Sequence, residues 1–203
     1  MRETRFISAD EIDFIKTIFK LNPNAVGMVQ TEEMQERYLS KVAEGIRAGL
    51  THAAVTFEDG EPIVVYIGIE FPKISGWHVG LTKITEKYNH YNKSAPIMAD
   101  ALDLLLEKMH SKGYYKFWMT APESHHNIRN KIMRKHSKYL SQYLWFDEVV
   151  IPANGISGIS AFDSVRGIVD WTDVVVRMFV LDQKHRVEFL RTKGYTDYKG
   201  TIL

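Results

Sequence analysis

The chain has 203 residues, 45% hydrophobic, 12% aromatic and 25% charged, with a formal net charge of +1 and no cysteine. A composition this apolar excludes intrinsic disorder, the missing thiols exclude disulfide scaffolds, thiolate zinc sites and a cysteine nucleophile, and the near-neutral balance excludes a global field that steers nucleic acid. No apolar run reaches the roughly 18 residues of a membrane-spanning helix and Met1 to Phe6 form no apolar leader, so one soluble, cytoplasmic domain over 1–203 is expected.

Ser8 with Glu11 fits a capping box. Ile12, Ile15, Ile18 and Phe19 follow at helical spacing, so a first helix should run to Asn22-Pro23-Asn24. Thr31 suits an N-cap ahead of Glu32 and Glu33, and Met34, Tyr38, Val42 and Ile46 carry a second helix to about Gly49. The first fifty residues therefore read as two helices. Thr51 to Phe57, Ile63 to Phe71 (carrying an unusual Gly68) and Gly76 to Ile84 read as an antiparallel meander. An Asp59-Gly60 turn joins the first two. In the third, alternation puts Trp77, Val79 and Leu81 on one side and His78, Gly80 and Thr82 on the other.

A polar loop then leads to Ser94, the expected N-cap of a long helix with Pro96 in its first turn and Gly113 as its stop. Tyr115 to Thr120 reads as a strand. Residues 123–144 read as a helix with Ile128, Ile132, His136, Leu140 and Leu144 on one stripe and Arg129, Lys131, Arg134, Lys135 and Lys138 on the other side. Late strands are expected over about 148–151 and 173–181. Between them lies a long glycine-rich loop, 152–172, and a short helix over 183–193 closes the chain.

Four constellations carry chemistry. Loop 85–95 offers Lys87, Lys93 and Ser94 to an anion at a helix start, with Tyr88, His90 and Tyr91 able to stack on a nucleotide. Its alternative reading is a solvated connection. Glu70 and His78, on neighbouring strands, are candidate bases, or else a surface carboxylate and a half-exposed strand histidine. Glu123-Ser124-His125-His126 reads first as a helix N-cap, and adjacent histidines, about 100° apart on a helix, make a poor metal pair. The basic face of helix 123–144 suits a phosphate, but nucleic acid is not expected without a matching motif.

The order α-α-β-β-β-α-β-α-β-β, a meander followed by a β-α-β crossover, makes an α+β, α-β-α sandwich: a mixed, mainly antiparallel sheet with helices on both faces. Over about residues 1–182 this resembles the GNAT-type, acetyl-coenzyme A-dependent N-acetyltransferases. The resemblance implies that strand 76–84 and the following helix frame acetyl-CoA or another acyl-CoA, with its pyrophosphate at the helix N-terminus. Carried over, Val79, Leu81 and Lys83 would hold the pantetheine arm, and Lys93, Ser94 and Ala95 would meet the pyrophosphate. Glu70 or His78 would be the base, and Tyr143 or Tyr139 the acid toward the departing thiolate. The acceptor would be a small-molecule or peptide amine, with no metal and no membrane partner. The family's Gln/Arg-x-x-Gly-x-Gly/Ala loop corresponds to Tyr88-Asn-His-Tyr-Asn-Lys-Ser-Ala95, which has no glycine. Two alternatives remain. One is a GNAT-like fold without catalysis, acting as a binding or assembly module and pairing as a homodimer through strands 148–181. The other is a related fold that takes S-adenosylmethionine, as acyl-homoserine-lactone synthases do, although their N-terminal Arg/Trp pattern is not evident.

Overall fold

The N-terminal residues form a strand, β1 (Arg2–Phe6), with a single apolar side chain and therefore no hydrophobic alternation to read. It pairs antiparallel with β2 (Thr51–Glu58), Arg2 opposite Glu58 and Phe6 opposite Ala54. The two-helix reading of the first fifty residues is thus corrected to a strand followed by helices. The computed structural model describes residues 1–21, 32–74, 76–88, 91–122, 134–151, 159–163, 168–172 and 174–180.

The capping signal at Ser8 is real but opens a single 3-10 turn, Ala9–Glu11, ahead of α1 (Asp13–Leu21). The Ser8 N–H donates to Glu11 Oε2 at 2.9 Å, and the Arg5 guanidinium donates to both Glu11 oxygens at 2.7 and 3.1 Å. These bonds hold the Glu11 carboxyl down at about 2. α2 (Glu32–Arg47) follows. Ile15, Ile18 and Phe19 of α1 and Leu39 and Val42 of α2 pack on Ala53, Val55, Val65 and Ile67, forming one of two apolar cores.

β2 is followed by β3 (Glu61–Phe71), β4 (Gly76–Ile84), the long α3 (Tyr91–Ser111) and β5 (Lys116–Pro122). After these come β6 (Leu144–Ile151), a separate hairpin of β7 (Ile159–Asp163) and β8 (Ile168–Thr172), and β9 (Val174–Val180). The main sheet has the order β1-β2-β3-β4-β5-β9-β6. β4 and β5 run parallel, and its other neighbours are antiparallel. α3 covers the face opposite α1 and α2: its Ala101, Leu102, Leu105 and Met109 meet Tyr66, Trp77, Val79, Phe117 and Phe179 in the second core. The expected mixed sheet with helices on both faces is the observed architecture.

Three expectations are corrected. α3 begins at Tyr91, three residues before Ser94, so Ser94 is not its cap and Pro96 lies inside the helix. There Pro96 has no N–H to give the Asn92 carbonyl. The expected helix over 123–144 does not extend through its second half, where 134–139 are turns, Leu140–Gln142 is a 3-10 turn and Leu144 already begins β6. Asp103 of α3 fixes this stretch by accepting hydrogen bonds from the Ser137 hydroxyl and, at 2.7 Å, the Lys138 N–H. Loop 152–172 contains the β7–β8 hairpin. The helix expected over 183–193 lies outside the described residues.

Two glycines in the sheet admit tryptophans. A Cβ on Gly68 would lie 2.8 Å from Trp77 Cε3, and one on Gly76 would lie 3.0 Å from Trp118 Cζ3. Each indole therefore crosses the neighbouring strand at a glycine and reaches the strand beyond. Trp77 crosses β3 to stack on His52 of β2 (4.8 Å, 9°), and Trp118 crosses β4 to meet Phe71 of β3 (5.3 Å, 45°). Trp77 lies under α3, and Trp118 lies on the opposite face.

Candidate active site

The sheet opens between its two parallel strands. β4 and β5 pair at Trp77 with Phe117, His78 with Trp118 and Val79 with Met119, and no further. β4 continues to Ile84, while β5 continues to Pro122 alongside β9. The cause is visible in the register: Gly68 faces Val79 but Ile67 faces Leu81, so Gly80 is an extra residue, a β-bulge. A bulge bends and twists its strand, and here β4 leaves β5 at that point. Among the described residues, no strand pairs with the β5 side of β4 from Gly80 to Lys83. The bulge also corrects the expected alternation, because Leu81 stands in register with Ile67, which belongs to the opposite face from Val79.

α3 starts just beyond this opening. Its first-turn N–H groups lack intrahelical acceptors and, with the dipole of a 21-residue helix, favour an anion there. Lys93 is exposed in that turn, whereas Ser94 and Ala95 are 3% and 2% exposed. The preceding 3-10 turn, Glu86–Tyr88, is fastened to the end of β2. Glu58 accepts from the Tyr88 hydroxyl, from Lys87 Nζ at 3.3 Å and from Arg2 at 3.0 Å. Lys87 and Tyr88 are thus tied to a carboxylate. The unpaired β4 edge, with the backbone at Leu81 and Lys83, could hold a linear arm of amides, and Val79, still paired with Met119, lies at its beginning. A diphosphate fits the α3 start with Lys93 beside it.

His78 sits at the vertex, the second of the three paired positions. It faces away from α3, in register with Ile69 and Trp118, and its imidazole lies 5.8 Å from the Trp118 ring at 21°. Burial pushes it down to about 4, so it is neutral at physiological pH.

Glu70 and Tyr143 lie elsewhere. Glu70 stands opposite Trp77, on the α3 face, near the beginning of β4. Its Oε2 accepts from Lys112 Nζ at 2.5 Å, just past the C-terminal end of α3, and lies 3.8 Å from His52 Nε2. Burial pushes the Glu70 carboxyl up, but bonds from Lys112 and Tyr114 and the Lys112 charge more than reverse this, leaving it below the usual carboxylate range. Tyr143 is fully buried, hydrogen-bonded to His110 Nε2 at 2.5 Å in the last turn of α3, and burial raises its hydroxyl far above the ordinary value. Tyr139 packs edge-on against the same His110 (5.3 Å, 87°). α3 spans about 30 Å from Lys93's turn to this end. The structure places His78 at the vertex, with the β4 edge leading from it toward the turn of Lys93; Glu70 adjoins Ile69, the partner of His78, but faces the other side of the sheet, and Tyr143 and Tyr139 lie by His110 at the C-terminal end of α3. His90, residues 123–126, Arg129 and Lys131 lie outside the described residues. Trp118 and Gly76 are missed by the periodicity argument, and the available signal is a glycine within a strand register that has a tryptophan one strand away.

Among the described residues no helix is long and apolar enough to cross a membrane, and no group of three or more His, Asp or Glu side chains is arranged to hold a metal ion. No protein-family model matches the sequence, and no curated protein matches it in sequence. Solved structures do match in fold. A ribosomal-protein-S5-alanine acetyltransferase from Vibrio fischeri is 14% identical, with a TM-score of 0.59, over 90% of this chain and 94% of that one. RimL, a ribosomal L7/L12 α-N-protein acetyltransferase in complex with coenzyme A, is 12% identical with a TM-score of 0.61, over 89% and 94%. A Desulfovibrio desulfuricans protein described as an acetyltransferase of the GNAT family is 11% identical with a TM-score of 0.61, over 90% and 100%. The chain has the GNAT-type N-acetyltransferase fold.

Proposed function

We propose that this GNAT-type fold carries out acyl transfer, moving an acetyl or other acyl group from a coenzyme A thioester to a primary amine. The observation that supports it most is the divergence of β4 from β5 after Val79 and Met119, which leaves an unpaired β4 edge leading to the start of α3. In this reading the backbone at Val79, Leu81 and Lys83 binds the pantetheine amides. Lys93 and the first-turn N–H groups of α3 bind the pyrophosphate, with Ser94 and Ala95 contributing backbone rather than side chains.

The amine approaches the thioester carbonyl at the vertex. A C–N bond forms and the C–S bond breaks. The amine loses one proton and the departing sulfur gains one. His78, neutral in this environment, accepts a hydrogen bond from the amine N–H as positive charge grows on nitrogen. The expected acidic tyrosine is not part of this proposal, because Tyr143 is bonded to His110 at the other end of α3. The RimL complex with coenzyme A lends support to the donor, and the ribosomal-protein acetyltransferases to an amine acceptor.

Thermal unfolding with acetyl-CoA tests this directly. Ligand at about 100-fold excess over Kd stabilises by roughly 2.7 kcal/mol, so the melting point should rise clearly. No shift at millimolar acetyl-CoA overturns the proposal. A second reading, a binding module without catalysis, is favoured by the glycine-free loop and by the capture of Lys87 and Tyr88 by Glu58. It predicts a homodimer by light scattering and no release of coenzyme A.

A further inference from the structure

Trp77 and Trp118 make the same gesture on opposite faces of the sheet, and of the two only Trp77 is fully buried. Trp77 is 1% exposed beneath α3. Trp118 is half-buried, and Phe71, the ring it reaches, is 41% exposed. Gly76 clears the space for the indole, and His78 lies beside it at 5.8 Å and 21°. Three rings from three adjacent strands thus form a floor running from the vertex of the opening toward the β3–β4 turn. Nothing in the second core requires this, since these rings face away from α3.

The Lys116 stem lies against Gly76, its Cε 3.3 Å from the position of a Gly76 Cβ, and Lys73 follows Phe71 by two residues. The neighbouring carboxylate in sequence, Glu70, points to the other face and is held by Lys112. Among the described side chains the floor therefore offers the faces of three rings. An acceptor with its nitrogen beside His78 extends its body over this surface.

We infer that the acceptor is a primary amine bearing an aromatic or large apolar group, and that this group seats on Trp118 and Phe71. This rests on the acyl-transfer reading above and adds the substrate's class. Stacked and edge-on ring contacts favour such a group over a linear polyamine or a small alcohol.

The test compares coenzyme A release from acetyl-CoA with 2-phenylethylamine, ethanolamine and spermidine. The expected kcat/KM is at least tenfold higher for 2-phenylethylamine than for either other amine, and Trp118→Ala should bring that ratio down toward one. Trp118→Leu, which keeps an apolar side chain, serves if Trp118→Ala melts early, and should lower the ratio in the same direction. A preference for spermidine or ethanolamine, or an unchanged ratio in both variants, overturns the inference while leaving acyl transfer standing. If no amine is acylated and acetyl-CoA does not bind, the acyl-transfer reading fails. The floor is then tested alone by saturation-transfer NMR with 2-phenylethylamine, where signal lost in the Trp118 variants supports it and no signal, or signal retained in them, overturns it.

Discussion

The two ends of the β4–β5 pair are built from the same kinds of residue and used differently. At the closed end, near the C-terminus of α3, the carboxylate and the phenol are held by side-chain partners, Glu70 by Lys112 and Tyr143 by His110, and the His52 ring lies flat on Trp77. At the open end a bulge releases β4, backbone groups lose their strand partners, and Lys93 stands exposed at a helix start. A histidine or carboxylate is thus a candidate for chemistry only by where the strands part. Substitutions at the closed end should move stability, and those at the open end should move turnover or ligand affinity.

The largest effect expected is at the closed end. Tyr143→Ala removes a fully buried ring that contacts Phe117 edge-on (5.1 Å, 71°) and should lower unfolding free energy by about 3–5 kcal/mol in denaturant titration. The milder Tyr143→Phe can break the comparison: a loss of turnover with unchanged melting would return Tyr143 to the chemistry. Next is His78→Ala, expected to cut kcat by at least about 10²-fold, equivalent to about 2.7 kcal/mol, with a far smaller change in melting. Gly68→Ala forces a methyl toward Trp77 at 2.8 Å and should destabilise by about 1–3 kcal/mol.

Acid sharpens the contrast. His78 titrates at about 4 rather than the ordinary 6.5, so the loss of activity caused by its protonation belongs near pH 4. Burial also holds His52 and His110 below 6.5, so the unfolded chain takes up protons first and stability declines as pH falls below 6.5. Glu70 adds a separate loss below its ordinary value of 4.5, as its depressed carboxyl protonates, and Glu70→Gln should remove that component from a melting profile against pH. The smallest effect is Lys93→Met. An exposed ion pair is worth about 0.2–1 kcal/mol, so KM for acetyl-CoA should rise by up to about fivefold, and less at high salt.

The meander, α3 and the sheet's late strand were legible because each buries one face and so carries a period. The open end was legible only in location. Gly80 reads as one more residue of an alternating strand, and nothing local reveals that it is unpaired, since the bulge is defined by the facing register of Ile67 and Gly68. β1 escaped notice because its pairs with β2 are polar, Thr4 hydroxyl against Thr56 hydroxyl at 2.9 Å. Glu70 is a candidate by residue type and Tyr143 by resemblance, but their partners, Lys112 and His110, are distant in sequence. Trp118 was passed over because its role depends on a glycine in another strand.

The order of strands has a consequence for synthesis. β9 lies between β5 and β6 although it follows both in the chain. Until residues 174–180 leave the ribosome, β5 has β4 on one side and an open edge on the other. At roughly 5–20 residues per second that interval lasts seconds. During it Phe117, Trp118 and Met119 form part of an unprotected strand edge next to the future site. Slowing translation over 123–173, or truncating the chain before β9, should therefore raise the yield of aggregated product, and supplying β9 restores the edge's partner.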